Sequence, residues 1–501
     1  MIMGTASDVG KSVVVAALGR AFARAGVRVA PFKSQNMSNN SAVCAGGGEI
    51  GRAQAMQAEA CGLTPTLDMN PVLLKPETDT GCQVVIGGRA RFQMSPRDYD
   101  RYRHEAWPEI VASYERLAAE FELVLIEGAG GAAEVNLKDR DIVNWKVAEL
   151  AGAPVVLVAD IDKGGVFASL VGTVELIQPS ERDRVRGMLI NKFRGDVRLL
   201  DSGLRFLEER TGIRVLGVLP HINDLRLPQE DAARLDYLAP AAGLAPVTIG
   251  VVHLPRISNY TDFEPLEHES DVTVHYLTDP ASAPALDVLI LPGTKSTVAD
   301  LSWLRRAGWE TALCRHLRGG GRVVGICGGF QMLGRRILDP LGAESKIAES
   351  IGLGLLDFET VFERDKITAQ IEGCELSSGL AIRGYEIHAG RAVRAPGSEP
   401  LLRVTKRDGA QREDLQIDEL EGCKSADGRV IGTSIHGIFD FAAFRRRFID
   451  SVRLAKGLAP LGDATATDYR EVRTAEYDRL ADVLIAHADF AKIASIAGIR
   501  I

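Results

Sequence analysis

No apolar run in this chain approaches the roughly 20 residues needed to cross a bilayer, so no membrane partner is expected. A charged segment leading into an apolar one is also missing near Met1, and no secretory signal is expected. Long blocks of Lys or Arg are absent, and the formal charge is −8 over 501 residues, which argues against a nucleic-acid partner. Cysteine is sparse: Cys44, Cys61, Cys82, Cys314, Cys327, Cys374 and Cys423 stand apart, without the close C-x-x-C pairs of a zinc site or disulfide framework. Scattered thiols of this kind fit a reducing cytoplasm. What is present is 46% apolar and 25% charged residues, enough for a globular protein of two to four domains that acts on a small molecule.

Apolar β-branched runs ending in loops recur through the first half, at "LVLIEGAGG" (123–131), "PVVLVADID" (154–162) and "RGMLINKFRGD" (186–196). Alternating with amphipathic segments, they predict a parallel sheet covered by helices. Small residues and prolines at "LAPAAGLAP" interrupt the rhythm and suggest a linker over 239–247. A second α/β rhythm follows, with strands at "TIGVVHL" (248–254), "ALDVLILPG" (285–293) and "GRVVGICGG" (321–329). After Asp440 the pattern is helical, and the basic face of "FAAFRRRFIDSVRLAKG" is expected to be solvated. The expected division is 1–238, the linker, 248–445, and a helical extension over 446–501. Its fold class is two three-layer α/β domains, the first a P-loop parallel-sheet domain.

The first functional candidate is "GTASDVGKS". Gly10, Lys11 and Ser12 open a helix with Val14, Ala17, Leu18, Ala21 and Phe22 on one face. Loop N–H groups and the helix start can cradle phosphates, Lys11 can neutralise them, and the Ser12 hydroxyl can ligate Mg²⁺. Counted strictly, Thr5 occupies the first glycine position of G-x-x-x-x-G-K-[ST]. Glu127 ends a strand where a second metal ligand could stand, and Asp160 and Asp162 end the next one; helix capping is their ordinary alternative. Asn191 ends a further strand and could pair with an adenine edge, while "NKFR" lacks the Asp of guanine recognition, so ATP is favoured over GTP. Only Met1, Ile2 and Met3 precede the loop, fewer than the five or six residues of a typical strand. A natural start upstream is therefore expected.

The second candidate is "VVGICGGFQMLG" (323–334), where Cys327 stands between Gly325 and Gly329 at a strand end. This G-x-C-x-G pattern fits a nucleophile elbow, in which small neighbours permit a strained turn and the Gly328 N–H faces an oxyanion. A buried structural cysteine is the ordinary alternative. His436 in "GTSIHGIFD" can serve as the base, and Gly293 in "LPGTKST" can supply the second oxyanion donor or simply cap a helix.

These stretches, with "PFKSQNMSNNS", "GGEIGRAQAMQAEA", "NPVLLKP", "DIDKGGVFASL" and "GYEIHAG", run in order along the chain. On them the sequence resembles the cobyric acid synthase family, the glutamine-hydrolysing amidotransferases of cobalamin biosynthesis. The resemblance implies a dethiobiotin-synthetase-like ATP site followed by a class I glutamine amidotransferase domain. It implies amidation of the b, d, e and g carboxylates of adenosylcobyrinic acid a,c-diamide through acyl phosphates, with glutamine as nitrogen donor. By matching positions, it puts Lys11 and Ser12 at phosphate and Mg²⁺, Glu127 and Glu49 at the metal, and Asn191 near adenine. Lys33, Asn36 and Asp160 fall around phosphate or corrinoid, with Cys327 as nucleophile and His436 as its base.

The broader class I pattern places a Glu two residues after the histidine, and here that residue is Ile438. Asp440 and Glu386 are the candidates to orient His436 instead. His388 is read as a structural histidine. The cobalt-binding signature D-x-H-x-x-G is absent, which makes the corrinoid a substrate rather than a bound cofactor. Two alternatives stand beside this reading: an amidotransferase acting on another acid, and a partitioning-type P-loop ATPase switch. The switch would leave the cysteine elbow unexplained, and "GTASD" lacks the early lysine common in such proteins.

Overall fold

The computed structural model describes residues 1–76, 81–94, 98–225, 227, 245–409, 412–462 and 466–501. Two compact units interleave along the chain: 1–38, 49–228 and 472–501 form the first, and 39–48 with 229–471 form the second. Most of the expected linker, 239–244, lies outside the described residues, and Val247 already begins a strand.

The first unit is built on six parallel strands. They are β1 (Ile2–Gly4), β2 (Val29–Phe32), β3 (Leu123–Gly131), β4 (Val155–Asp160), β5 (Val185–Phe193) and β6 (Val215–Pro220). Their spatial order is β6-β5-β4-β1-β3-β2. The expected strands are therefore present, and the three-residue β1 lies centrally between β3 and β4. A strand so short holds its place because both neighbours supply its ladder bonds and Met3 is fully buried. Helix α1 (Lys11–Arg24) covers one face through Val14, Leu18 and Phe22. The C-terminal residues join the same core: the Phe490 ring lies 4.9 Å from that of Phe22, and Tyr477 donates to Glu59 at 2.9 Å.

The second unit carries the sheet β8-β7-β9-β10-β12-β11. Its strands are β7 (Val247–Val252), β8 (Val272–Leu277), β9 (Val288–Leu291), β10 (Arg322–Ile326), β11 (Cys423–Lys424) and β12 (Val430–Thr433). All neighbours are parallel except β11 with β12. A second, largely antiparallel sheet includes the long strands Phe358–Glu375 and Ala381–Arg394, and this sheet takes in His436 through pairing with Tyr385. The α/β class holds for both units.

The basic helix Ala442–Ala455 departs from expectation. Arg445, Arg446 and Arg453 are buried rather than solvated, because Glu269 and Asp271 stand opposite them. Arg446 binds Asp271 through two bonds of 2.9 and 3.0 Å, Arg453 reaches the same carboxylate at 2.9 Å, and Arg445 meets Glu269 at 2.6 Å. Sequence periodicity registers charge but not the countercharge a fold brings to it. Asp271→Ala leaves two buried guanidiniums short of a partner, and we expect a loss of about 3–5 kcal/mol in urea unfolding. Arg446→Met, which leaves Asp271 with Arg453, should cost clearly less in the same measurement.

Candidate active sites

At the first site, β1 ends at Gly4 and the chain loops to Gly10, whose positive φ of 96° starts α1 without a side-chain cap. The first helical turn carries no acidic residue, so its positive end is left for an anion. A Cβ on Gly10 would come 2.2 Å from Asn191 Nδ2, which fixes glycine there. Lys11 is buried, and its ammonium donates to the carbonyls of Ala6 at 2.9 Å and Gly130 at 3.0 Å. Asn191, expected near adenine, donates one amide N–H to Val9 O at 2.9 Å and so braces the loop.

Glu127, expected to end its strand, lies inside β3, which runs on to Gly131, and it collects the polar groups of this site. Its Oε1 accepts from Ser12 Oγ and Lys33 Nζ, both at 2.9 Å, and its Oε2 accepts from Gln57. Burial alone would raise this carboxyl, but Lys33 and the three hydrogen bonds outweigh it and hold Glu127 below the usual carboxylate range. A hydroxyl and an ionised carboxylate are the hard oxygen donors that Mg²⁺ takes, the remaining positions being water and phosphate. Gln57 Oε1, buried without a partner, adds a further oxygen. No group of three or more His, Cys, Asp or Glu side chains suited to a metal occurs among the described residues.

Two expected members stand in pairs of their own. Glu49, proposed for the metal, is buried against Lys75 at 2.5 Å. Asp160 is neutralised by Lys192 at 2.8 Å, and that lysine also donates to Asp8 O. Asn36 donates to Gln54 at 2.8 Å.

The second site forms where β10 and β12 end side by side, Ile326 opposite Thr433. Cys327 follows with φ 49° and ψ −108°, a strained conformation for a non-glycine residue, and its N–H donates to Thr433 O at 2.8 Å. The flanking glycines have a steric cause: a Cβ on Gly329 would meet Leu291 O at 2.0 Å, and one on Gly325 would meet the Phe330 backbone at 2.8 Å. Gly293 faces His436, whose Cε1 would lie 2.9 Å from an added Cβ, and Gly328 abuts the Thr294 backbone. The two expected oxyanion segments therefore lie against each other beside the thiol.

His436 is fully buried, and its Nδ1 lies 2.6 Å from Asp262 Oδ2, while Asp262 Oδ1 accepts from Gly437 N at 3.0 Å. The Tyr385 ring stacks on the imidazole at 5.2 Å. Burial would lower the histidine, but the Asp262 carboxylate and the Cys327 sulfur prevail and raise it to about 10. Burial would raise the Cys327 thiol, and His436 outweighs that to hold it below its ordinary value. The pair thus favours thiolate with imidazolium, the reactive form of a cysteine nucleophile.

Family models match both units: a CobQ/CobB/MinD/ParA nucleotide binding domain over 1–233, and a CobB/CobQ-like glutamine amidotransferase domain over 248–444. The chain is 45% identical to the curated cobyric acid synthase of Syntrophobacter fumaroxidans, across 100% of this chain and 98% of that one. It is 46% identical to that of Dehalococcoides mccartyi, across 100% and 99%. The chain belongs to the cobyric acid synthase family.

In this family member neither Asp440 nor Glu386 holds the imidazole. Glu386 is engaged by Arg407 at 2.9 Å and lies 3.7 Å from His388 Nε2, and His388 Nδ1 bonds Gly390 O at 2.8 Å. Asp262 takes the orienting place, and sequence reasoning missed it because it precedes His436 by more than 170 residues. Its one local signal was the polar run "SNYTDFE" soon after the first strand of the second sheet, where an α/β sheet places functional loops. Asn259, whose Nδ2 lies 3.4 Å from His436 Nε2, belongs to the same run. Lys192 and Gln57 were also missed at the first site.

Iodoacetamide labelling of Cys327, located by mass spectrometry, should be nearly flat from pH 7 to 9, because the imidazolium that sustains the thiolate is lost only as pH rises through about 10. Asp262→Asn should slow labelling at pH 7 by about tenfold or more and restore an ordinary thiol titration.

Proposed function

We propose that this chain is a cobyric acid synthase that amidates the b, d, e and g carboxylates of adenosylcobyrinic acid a,c-diamide. In this reading 1–238 is the amide synthase, 248–445 the glutaminase and 446–501 a helical extension, all working in the cytoplasm. The observation that carries it is the buried Cys327–His436–Asp262 arrangement in the same chain as the Lys11–Ser12–Glu127 site. The full-length similarity to curated cobyric acid synthases supports the choice of acid.

A carboxylate is a poor acyl donor, so the first half-reaction transfers the γ-phosphoryl of ATP to a substrate carboxylate, giving an acyl phosphate and ADP. Lys11 and the start of α1 hold the phosphates, Lys33 neutralises charge on the transferring group, and Asn191 and Asp160 with Lys192 shape the nucleotide side. Ser12 and Glu127 would hold Mg²⁺, which would supply charge neutralisation at the phosphates.

In the second half-reaction the Cys327 thiolate attacks the side-chain carbonyl of glutamine. Gly328 and Gly293 N–H groups receive the oxyanion. The His436 imidazolium protonates the departing nitrogen, which leaves as ammonia. The acyl group is left on sulfur as a thioester; His436 then takes a proton from water, whose oxygen attacks the thioester carbon and expels the sulfur, releasing glutamate and restoring the Cys327 thiolate beside the His436 imidazolium. Ammonia attacks the acyl phosphate, expelling phosphate and forming the amide. Asp262 keeps His436 in the tautomer that serves both transfers.

The test is ATP-dependent amidation of adenosylcobyrinic acid a,c-diamide followed by mass. Successive acid-to-amide mass steps are expected with either glutamine or ammonia. Cys327→Ala should abolish the glutamine reaction and keep the ammonia one, whereas Lys11→Ala should abolish both and keep glutaminase. No mass change with any nitrogen donor, from folded protein that binds ATP, would redirect the assignment to another acid.

A further inference from the structure

The end of β10 remote from the thiol opens onto a cavity. It has a volume of about 660 Å³ and takes in Arg322, the first residue of β10, whereas Cys327 follows the last. At about 3.3 Å per residue the two lie roughly 16 Å apart along the strand, so the cavity is not the thiol site. One wall is apolar: Ile431 of β12, Leu380 and Leu401 line it, with Phe444 and Phe448 from the helix Ala442–Ala455. Leu454 of the same helix lines the cavity while 60% exposed, so the space borders solvent there. A cavity of this size and character suits a small molecule.

The charges at this cavity do not balance. Lys424 meets Glu399 at 3.2 Å, Arg429 meets Asp427 at 2.7 Å, and Arg447 stands 3.9 Å from Glu375. Arg322 has no carboxylate at ion-pair distance among the described residues; its half-buried guanidinium donates to Ser451 Oγ at 2.7 Å and Ser451 O at 2.9 Å. Burial pulls it below the ordinary arginine value, although it stays charged. Neighbouring acids are committed elsewhere. Asp450, also in the lining, is held by Arg446 at 3.0 Å and by the N–H groups of Leu461 and Gly462 at 3.0 and 2.9 Å. Asp287, whose carbonyl accepts from Arg322 N, has its carboxylate on Lys456 at 2.7 Å. One unbalanced cation calls for one anionic charge, and the carboxylates of Glu375 and Asp450 in the same lining weigh against a dianion such as phosphate. Ser451 uses two of the five N–H donors of Arg322, which leaves donors for the two oxygens of a carboxylate. We infer that this cavity is a binding site for an organic monocarboxylate with an apolar body, its carboxylate on Arg322 and its hydrocarbon against Phe444, Phe448 and Leu380.

This site stands independently of the amidotransferase reading, and its probe is octanoate, with 1-octanol as the uncharged control. Calorimetric titration of the full chain should give octanoate a Kd about tenfold or more below that of octanol. Cys327→Ala should bind octanoate as the wild type does; loss of binding in that variant would put the anion at the thiol site and overturn the assignment. Arg322→Met should weaken octanoate by about tenfold or more and change octanol by less than about twofold. Arg322 is half-buried, so a matched pair at the exposed Leu454 keeps the test independent of any folding defect. Leu454→Glu should bind octanoate about fivefold or more weaker than Leu454→Gln, with octanol alike in the two. Octanoate binding no tighter than octanol, octanoate affinity unchanged in Arg322→Met, or a Leu454→Glu protein that matches Leu454→Gln overturns the inference.

Discussion

A 2.6 Å contact between His436 Nδ1 and the Asp262 carboxylate sets the chemistry of the second unit. Neither partner would tolerate its burial alone: an ionised carboxylate inside a protein needs a cation or donors, and a buried imidazole loses its proton readily. Together they reverse the histidine's preference, and the resulting positive charge draws the Cys327 thiol toward thiolate. The strained turn at Cys327, the glycines around it and the stacked Tyr385 ring all serve to hold sulfur and imidazole within reach of each other.

The first unit uses the same physics with the signs exchanged. A carboxylate, Glu127, is buried within strand β3 and kept ionised by Lys33, Ser12 and Gln57. In both places a buried charge is stabilised by side chains from other segments, and at the second site Cys327 follows the C-terminal end of β10, where a parallel sheet opens onto loops.

The sequence made these places legible because each adjoins a short apolar run broken by glycine or a charged residue. Cys327, Glu127 and the Lys11–Ser12 pair could be named for that reason, and His436 followed from its own strand-like run. Asp262 could not, since nothing in local spacing relates it to a histidine in another element; only the folded sheet brings them together. The same limit hid the countercharges of Arg445 and Arg446, and the transfer of residues 39–48 into the second unit. Local pattern reports what a residue can do, whereas burial and partner choice decide what it does. Asn191 illustrates this: an amide read for its base-pairing edge also braces the loop through the carbonyl of Val9.

The most direct test of this account is the protonation state of His436. Nitrogen-15 NMR of the imidazoles, with His436→Gln used for assignment, should show both ring nitrogens of His436 protonated through neutral pH, titrating near 10. A neutral His436 at pH 7, titrating close to the ordinary histidine value, would contradict the claim that Asp262 makes Cys327 reactive.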